Sequence, residues 1–422
     1  YLVGRNGKIN PNAQLGYSDG TYYYTPDDWT ENSMRNGFRQ EYNVSVSGGT
    51  DKLKYYLSGS YLENEGIVKA SGFNRLNTRA TVDYQAKKWL KLGTSMSYTY
   101  SKSDMPSDND LDYATSSGNI FYLANQIAPI YPMFVRGADG NVMIDPLYNY
   151  PVYDYGDGLS TPNSRTFMTM ANPVGNLFYN TTEYLTDVFD GKWYLTLTPV
   201  DGLSITGNAG YYLSNLRYHG LDNPFYGQGA EGGGSAYQID ERSRSINLQA
   251  IANYTKTFND VHNIDLMVGY ETFNYEVENV SAIGYNLYRH DGWDVDNTID
   301  RRNGYGGRPI QYTTRGIPVR VKYNYDGKYF GHVSYRRDSS SRFAPDKRWG
   351  DFFSVSAAWD IAKESFLQPV EWIDQLKFKA SFGQNGNDRL GSSSYYYYAW
   401  TDQYQATGAD GVWNDATLIF KG

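Results

Sequence analysis

Long and short connections alternate strictly along this chain, and that parity constrains its fold more than any motif does. The short ones fall near 48–51, 85–88, 199–202, 257–263, 326–327 and 362–375. Between them lie 63–73, 102–182, 217–242, 272–315, 337–349 and 384–394. Antiparallel strands crossing a membrane produce this sorting, because one rim carries tight periplasmic turns and the other carries extended extracellular loops. A soluble sandwich has no reason to sort its loops by parity. The expected fold is therefore all-β, an antiparallel transmembrane β-barrel wall of 12 strands, with a thirteenth through 395–400.

Alternation within the strands agrees. Trp193, Leu195 and Leu197 share one face, opposite Tyr194, Thr196 and Thr198. After Asp201-Gly202, Leu203, Ile205, Ala209, Tyr211 and Leu213 oppose Ser204, Thr206, Asn208 and Tyr212. Period-two patterning gives one oily and one polar face, and Thr196, Thr206 and Asn208 are expected to face a wet interior. Asp-Gly supplies the positive φ of a tight hairpin, at 201–202 and again at 326–327; Gly48-Gly49 is expected to do the same before the strand at 52–62. Tyr323, Tyr325 and Tyr329 crowd one short turn, while Tyr98 and Tyr100 end the strand beginning at Leu90. Such amphipathic rings, drawn from 43 tyrosines in 422 residues, suit the two interfacial girdles of a membrane barrel.

A mean hydropathy of −0.63 does not oppose this reading, because only alternate residues face lipid. No run of 18 apolar residues is present, which excludes a helical span. The absence of cysteine excludes disulfides, thiolate metal sites and a cysteine nucleophile. A pI near 5.2 offers no basic patch for nucleic acid. Tyr1-Leu2-Val3-Gly4 does not open a secretory leader, so the chain is expected to be a piece of a longer one. Residues 1–38 read as the approach to a strand, with a polar loop at 18–28.

Four segments carry a family resemblance: NVSVSGGTDKLKYYLSGSYLENEGIV at 43–68, APIYPMFVRGADG at 128–140, RRDSSSRFAPDKRWGDFFSVSAAWDIAKESFL at 336–367 and KFKASFGQNGN at 377–387. In identity, order and spacing they resemble the SusC-like (RagA/SusC) branch of TonB-dependent outer-membrane transporters. One departure is Ser339, where the family usually has glycine; a local loop adjustment is expected. The resemblance implies a 22-stranded barrel in the bacterial cell outer membrane, its lumen filled by an N-terminal plug. It also implies energy from a TonB complex acting through that plug, a SusD-like surface lipoprotein as lid, and two transporter–lid units side by side. Barrels of that size have plugged lumens. Neither plug nor TonB box is recognisable here, so residues 1–422 are expected to be a partial barrel domain, in contact with outer-membrane lipid.

The richest functional candidate is the long extracellular loop 102–182, with eight tyrosines, seven prolines, eight aspartates and three Lys/Arg residues. Connections this long are uncommon unless functional. Tyr113, Tyr122, Tyr131, Tyr148, Tyr150, Tyr153 and Tyr155 offer stacking faces for a ligand or contacts for a lid protein; the competing reading is a compact, self-packed loop. Residues 118–135 have the apolar character of a short buried segment. Asp108, Asp110 and Asp112 have calcium-like spacing but lack the glycine and glutamate an EF-hand loop requires; Asp294, Asp296 and Asp300 are a looser cluster. Gly227, Gly229 and Gly232 spell G-x-G-x-x-G without the strand and helix a phosphate site needs, and read as a flexible loop. His219, His262, His290 and His332 have no metal-ligand spacing. No catalytic motif, metal site or cofactor is indicated.

The leading expectation is TonB-dependent import of a large nutrient, an oligosaccharide first, together with a SusD-like lid. An oligopeptide importer of the same family is the alternative. A non-transporting outer-membrane adhesin or assembly barrel is a rival from another class.

Overall fold

The computed structural model describes residues 4–105, 120–391 and 397–421, apart from 9, 14, 129, 308, 368, 371, 399, 402 and 408–416. A small antiparallel pair, β1 (Tyr17–Ser18) and β2 (Tyr23–Tyr24), and a short helix α1 (Trp29–Ser33) precede the main sheet. That sheet begins with β3 (Arg39–Gly49), β4 (Leu53–Glu65), β5 (Gly72–Lys87) and β6 (Leu90–Asp104). Helices α2 (Ile120–Gln126) and α3 (Pro173–Tyr179) lie in the long connection to β7 (Thr181–Val200). Next come β8 (Leu203–Asp222), helix α4 (Gly227–Glu231), β9 (Ser235–Phe258) and β10 (His262–Leu287). The sheet ends with β11 (Thr298–Gly306), β12 (Ile310–Tyr325), β13 (Tyr329–Ser340), β14 (Trp349–Asp360) and β15 (Lys377–Gly383). A separate pair, β16 (Gln403–Thr407) and β17 (Thr417–Lys421), follows.

Each strand from β3 to β15 pairs antiparallel with the next, except that β10 passes directly to β12 and β11 folds back onto β10 beyond that path. The sheet thus has 13 strands, but the thirteenth is not where the sequence placed it. It is β11, inside the expected loop 272–315; of the expected strand at 395–400, Tyr397-Tyr398 are helical and not extended, and 395, 396 and 399 lie outside the described residues. The expected loop 217–242 shrinks to 223–234 for a related reason. Strands β9 and β10 reach 24 and 26 residues, well beyond the ~9–11 needed to cross hydrocarbon. Beyond the span that faces lipid, polar residues need not be confined to one face, and the alternation that marks a strand fades.

Within the sheet the alternation is carried through. Val46, Leu195, Leu248, Val268, Val321, Val333, Val355 and Phe382 stand exposed on one face. The other face holds a row in register from β5 to β13: Asp83, Gly93, Tyr194, Asn208, Gln249, Glu271, Gly316 and Asp338. Tyr194 donates its hydroxyl to Asp83. Asn208 Nδ2 donates to Gln249 Oε1 at 3.0 Å, and Gln249 Nε2 to Glu271 Oε2 at 3.2 Å. Arg336 closes the row by donating to Glu271 and, at 2.7–2.8 Å, to Asp338. Thr196 and Thr206 pair on this same face at 3.1 Å, as their alternation required. Cross-strand polar pairs of this kind each contribute modestly and together fix register.

Glycine makes the row continuous. A Cβ at Gly93 would overlap the Tyr194 ring and stand 2.7 Å from an Asp83 oxygen, so Gly93→Ala must displace the tyrosine. The expected loss is about 1–3 kcal/mol from overpacking, read as a lower urea midpoint of the refolded protein. Combining it with Tyr194→Ser should recover most of that loss; simple additivity of the two changes would show that the ring is not the obstacle.

The short rim is built as the turn residues dictate. Asp326 and Gly327 both take positive φ, 50° and 63°, and Gly202 takes 81°. Gly48 and Gly49 do not form a turn; both pair within β3, against Tyr55 and Lys54, and the chain reverses at 50–52. Tyr325, Tyr329 and Trp359 form a stacked aromatic series beside the 326–327 turn. Among the described residues no helix is long and apolar enough to cross a membrane, which says nothing of strands.

Candidate functional site: a tyrosine-cored cap and the cleft beneath it

At the long-connection rim, residues 17–34 and 120–180 fold together into a cap. Its core is Trp29, Ile127, Met133, Tyr153, Tyr155, Ala171, Val174 and Tyr179. The apolar stretch 118–135 supplies buried Ile120, Ile127, Met133 and Val135, as its composition suggested. The approach segment, read from sequence as a polar loop, is instead a strap. Trp29 inserts into the core and donates Nε1–H to the Tyr131 carbonyl at 3.1 Å. Asp27 accepts two N–H groups of Arg136, at 2.6 and 2.9 Å, and the Met133 amide at 2.8 Å. Inside the cap the buried Arg165 guanidinium lies 5.5 Å from the Trp29 ring and donates to the carbonyls of Tyr155, Met168 and Ala171. Burial lowers its pKa, and burial raises that of the neighbouring Asp154 carboxyl.

A second connection locks onto the cap through Tyr226. Its ring stacks on Tyr179 at 4.8 Å and on Tyr155 at 5.9 Å, and its hydroxyl donates to Asp145. Asn180 completes the seam, accepting from the amide and side chain of Asn223 at 3.0 and 2.8 Å. Burial alone would raise the Asp145 carboxyl. The Tyr226 hydroxyl and the Tyr148 and Leu147 amides outweigh burial and hold it below its ordinary 3.8. A group depressed in this way stabilises the fold fully above its unfolded pKa, and that contribution is lost as pH falls through the lower folded value. The amides of Leu147 and Tyr148 should therefore be better protected from hydrogen exchange at pH 7 than in Asp145→Asn, the two proteins converging as pH falls through the depressed folded value. A difference in protection factor independent of pH would remove Asp145 from this role.

The seven tyrosines singled out from the sequence fall into distinct places. Tyr153 and Tyr155 are core residues, 4% and 0% exposed, and Tyr155 donates its hydroxyl to Asn176 at 2.8 Å. Tyr148 is half-buried, 4.6 Å from Tyr179 and 4.9 Å from His290. Tyr131 is half-buried against Arg165. Tyr150, 42% exposed, is open to solvent on one side and packs on Phe178 on the other. Tyr122 is on α2, and its side chain, like the whole of Tyr113, lies outside the described residues, as does the Asp108–Asp112 cluster. Tyr179 and Tyr226 were not singled out, although they join the two connections. Only their aromatic type was visible beforehand, since the partners come from separate loops.

Beneath the seam lies a cleft of about 700 Å³. Tyr218, Tyr237 and Tyr285 line its floor from β8, β9 and β10, on the same strand face as Asn208, Gln249 and Glu271. Asn176 and Asn180 enter from the α3 side, and Tyr226, Gln228 and Glu231 from the connection holding α4. The glycine motif Gly227, Gly229 and Gly232 is therefore not a flexible loop. It forms α4 and its end, and Gly229 and Gly232 help line the cleft.

A second cleft, about 480 Å³, lies between β12, β13, β14 and 386–388. Its lining includes Arg336, Lys347 and Arg348 with Asp338 and Asp388. Arg342, from the RRDSSSRF segment, sits between the rings of Tyr312 and Tyr397 at 4.5 and 4.6 Å. Asp388 accepts from Tyr312 at 2.5 Å and Ser340 at 2.7 Å, which pins the chain after β15 onto the sheet. Ser339 stands in regular β13 pairing with Arg315 and Trp349, not in an adjusted loop. Among the described residues, no group of three His, Asp or Glu side chains is arranged to hold a metal ion.

No family model matches the chain. It is 25% identical over 396 residues to TonB-dependent receptor P39 of Formosa agariphila, covering 92% of this chain and 34% of that protein. Against TonB-dependent receptor SusC of Bacteroides thetaiotaomicron it is 23% identical over 412 residues, covering 92% and 39%. The chain thus spans about a third of the length of the curated relatives it matches. Among solved structures, the RagAB peptide transporter superposes with a TM-score of 0.72 at 20% identity, over 94% of this chain and 41% of that one. The sheet therefore has the fold of a transporter barrel wall, its apolar face turned to lipid. Over most of its length the chain is thus similar to TonB-dependent receptors, SusC among them, and its sheet has the fold of a stretch of the antiparallel transmembrane β-barrel that the RagAB transporter carries.

Proposed function

We propose that this chain forms part of the wall and the extracellular cap of an importer that carries a large nutrient, an oligosaccharide, across the bacterial outer membrane. The observation that carries the reading is the placement of the cap. A folded unit with its own buried core sits on the long-loop rim, above a wall that is polar inside and apolar outside. In this reading the ligand is caught under the cap, a SusD-like lipoprotein closes the mouth, and TonB draws on a plug domain to admit the cargo. The polar row from Asp83 to Asp338 keeps the passage wet. Residues 102–182 are the extracellular loop; within it the exposed face of Tyr150 and the half-buried Tyr131 and Tyr148 meet ligand or lid. Tyr153 and Tyr155 act by holding the cap's shape. The relatives are named as receptors and transporters, which supports a non-enzymatic role.

Peptide import is the second reading, favoured by the likeness to the RagAB peptide transporter. The two separate in a gentle detergent purification of the native complex, followed by mass spectrometry of everything that co-elutes. A lid lipoprotein with bound glycan supports the first reading, and a lid with bound peptide the second. A receptor without lid or cargo, in cells growing on the nutrient, would favour an adhesin or assembly barrel and end both.

A further inference from the structure

We propose that the 480 Å³ cleft between β12, β13, β14 and 386–388 is a subsite for an acidic sugar, a unit of the cargo that carries a carboxylate or a sulfate. The proposal rests on the oligosaccharide-importer reading above and adds the charge of the cargo and a place in the wall that reads it. Volumes of this order suit a small ligand or one short segment of a longer one.

The strands set the floor. Thr314 pairs with Ser340, Asp338 with Gly350 and Arg336 with Phe352, all on the face that carries the polar row from Asp83 to Asp338. Among the described residues the lining holds four cations, Arg315, Arg336, Lys347 and Arg348, and two carboxylates, Asp338 and Asp388. Both carboxylates are already matched. Asp338 accepts from Arg336 Nε at 2.7–2.8 Å. Asp388 accepts from Tyr312 and Ser340 and lies 3.8 Å from Arg342.

Two of the cations are held differently. Arg348 is anchored by neutral groups: its Nε donates to the Phe343 carbonyl at 3.0 Å, and its guanidinium lies 5.3 Å from the Trp400 ring. Among the described residues no carboxylate pairs with it, which leaves the Nη end of a planar fork for an outside acceptor. Lys347 pairs with its neighbour Asp346 at 3.8 Å, both side chains being more than 70% exposed. Such a contact is worth little and is readily exchanged. A ligand carboxylate or sulfate therefore finds two adjacent cations without breaking a buried ion pair. The rings of Tyr312, Phe343 and Phe352 line the same cleft and offer apolar surface to the C–H face of a sugar. An extended peptide would need main-chain partners, and on the floor β13 has none to give, being paired on both sides from Tyr329 to Ser339.

The test changes charge where the fold does not depend on it. The Lys347 side chain is 79% exposed, so the protein tolerates either sign there. The full receptor with its lid would be probed on an array holding neutral, uronic and sulfated oligosaccharides, beside acidic, neutral and basic peptides. Uronic or sulfated chains should bind more tightly than neutral ones of the same length. Lys347→Glu should weaken their binding by about fivefold or more, and Lys347→Arg should keep it within about twofold. Arg348→Gln should weaken it by about tenfold, the loss expected of a hydrogen bond to a charged group. Acidic-glycan binding unchanged in both Lys347→Glu and Arg348→Gln overturns the subsite and leaves the importer standing. Neutral glycans bound as well as acidic ones overturn the charge of the cargo and leave the oligosaccharide. Peptides bound in place of every glycan end the oligosaccharide reading together with the subsite.

Discussion

Trp29→Ala is expected to loosen the cap from the barrel wall while leaving the wall folded. Trp29 is 2% exposed, donates to the Tyr131 carbonyl and covers the Arg165 guanidinium. Its truncation removes a large buried surface and opens a cavity, a change that costs about 3–5 kcal/mol. Asp27→Ala should cost a similar amount by a different route, since it leaves Arg136 half-enclosed without its carboxylate, and breaking one side of such a pair costs about 3–5 kcal/mol. In both variants, hydrogen exchange across 130–155 should accelerate and proteases should cut there, while β7–β10 keep their protection. Unchanged protection of the cap in both would mean that 17–34 lies on it without holding it. The consequence for function is direct, because the two cap connections shape the cleft from above and a loosened cap blurs it.

The second large effect belongs to the lipid face. Val268 is 51% exposed on the apolar side of β10, paired with Ala252 and Val319 and six residues from His262 at the short rim. A span of ~9–11 residues places it near mid-membrane. Val268→Arg should cost about 2–4 kcal/mol, the penalty for a cation on a barrel's lipid face at that depth. Gln249→Arg, on the polar face one strand away, should cost far less because its head remains in water. Urea unfolding in lipid vesicles compares the two. Equal costs would mean that the faces have been assigned wrongly, and a larger cost at Gln249 would reverse them.

How far the sequence revealed this molecule depends on the range of each interaction. The hairpins at 201–202 and 326–327 were legible because a positive φ at Gly202, Asp326 and Gly327 is a local requirement. Gly48-Gly49 looked equivalent, yet glycine permits a turn without demanding one, and both residues pair in β3. β11 and the outer ends of β9 and β10 were missed because their sequences put polar residues at odd and even positions alike, which erases period two. The same limit applies to the tyrosines. Their abundance in 102–182 was plain, but nothing local distinguishes Tyr150, open to solvent, from Tyr155, which is fully buried.

By itself, then, the sequence determined that this is a barrel wall, which face meets lipid, and which rim carries the long connections. Those properties repeat every two residues or sit within a single turn, so each residue type answers to its immediate surroundings. Only the tertiary structure decided that Trp29 closes a core with residues a hundred positions later, that Tyr226 stacks on Tyr155 and Tyr179, and that Asn176, Glu231 and Tyr285 border one cleft. The physical reason is that loop closure brings such groups together with no period to announce it, and packing then selects which of many similar side chains are buried and which remain to meet a ligand.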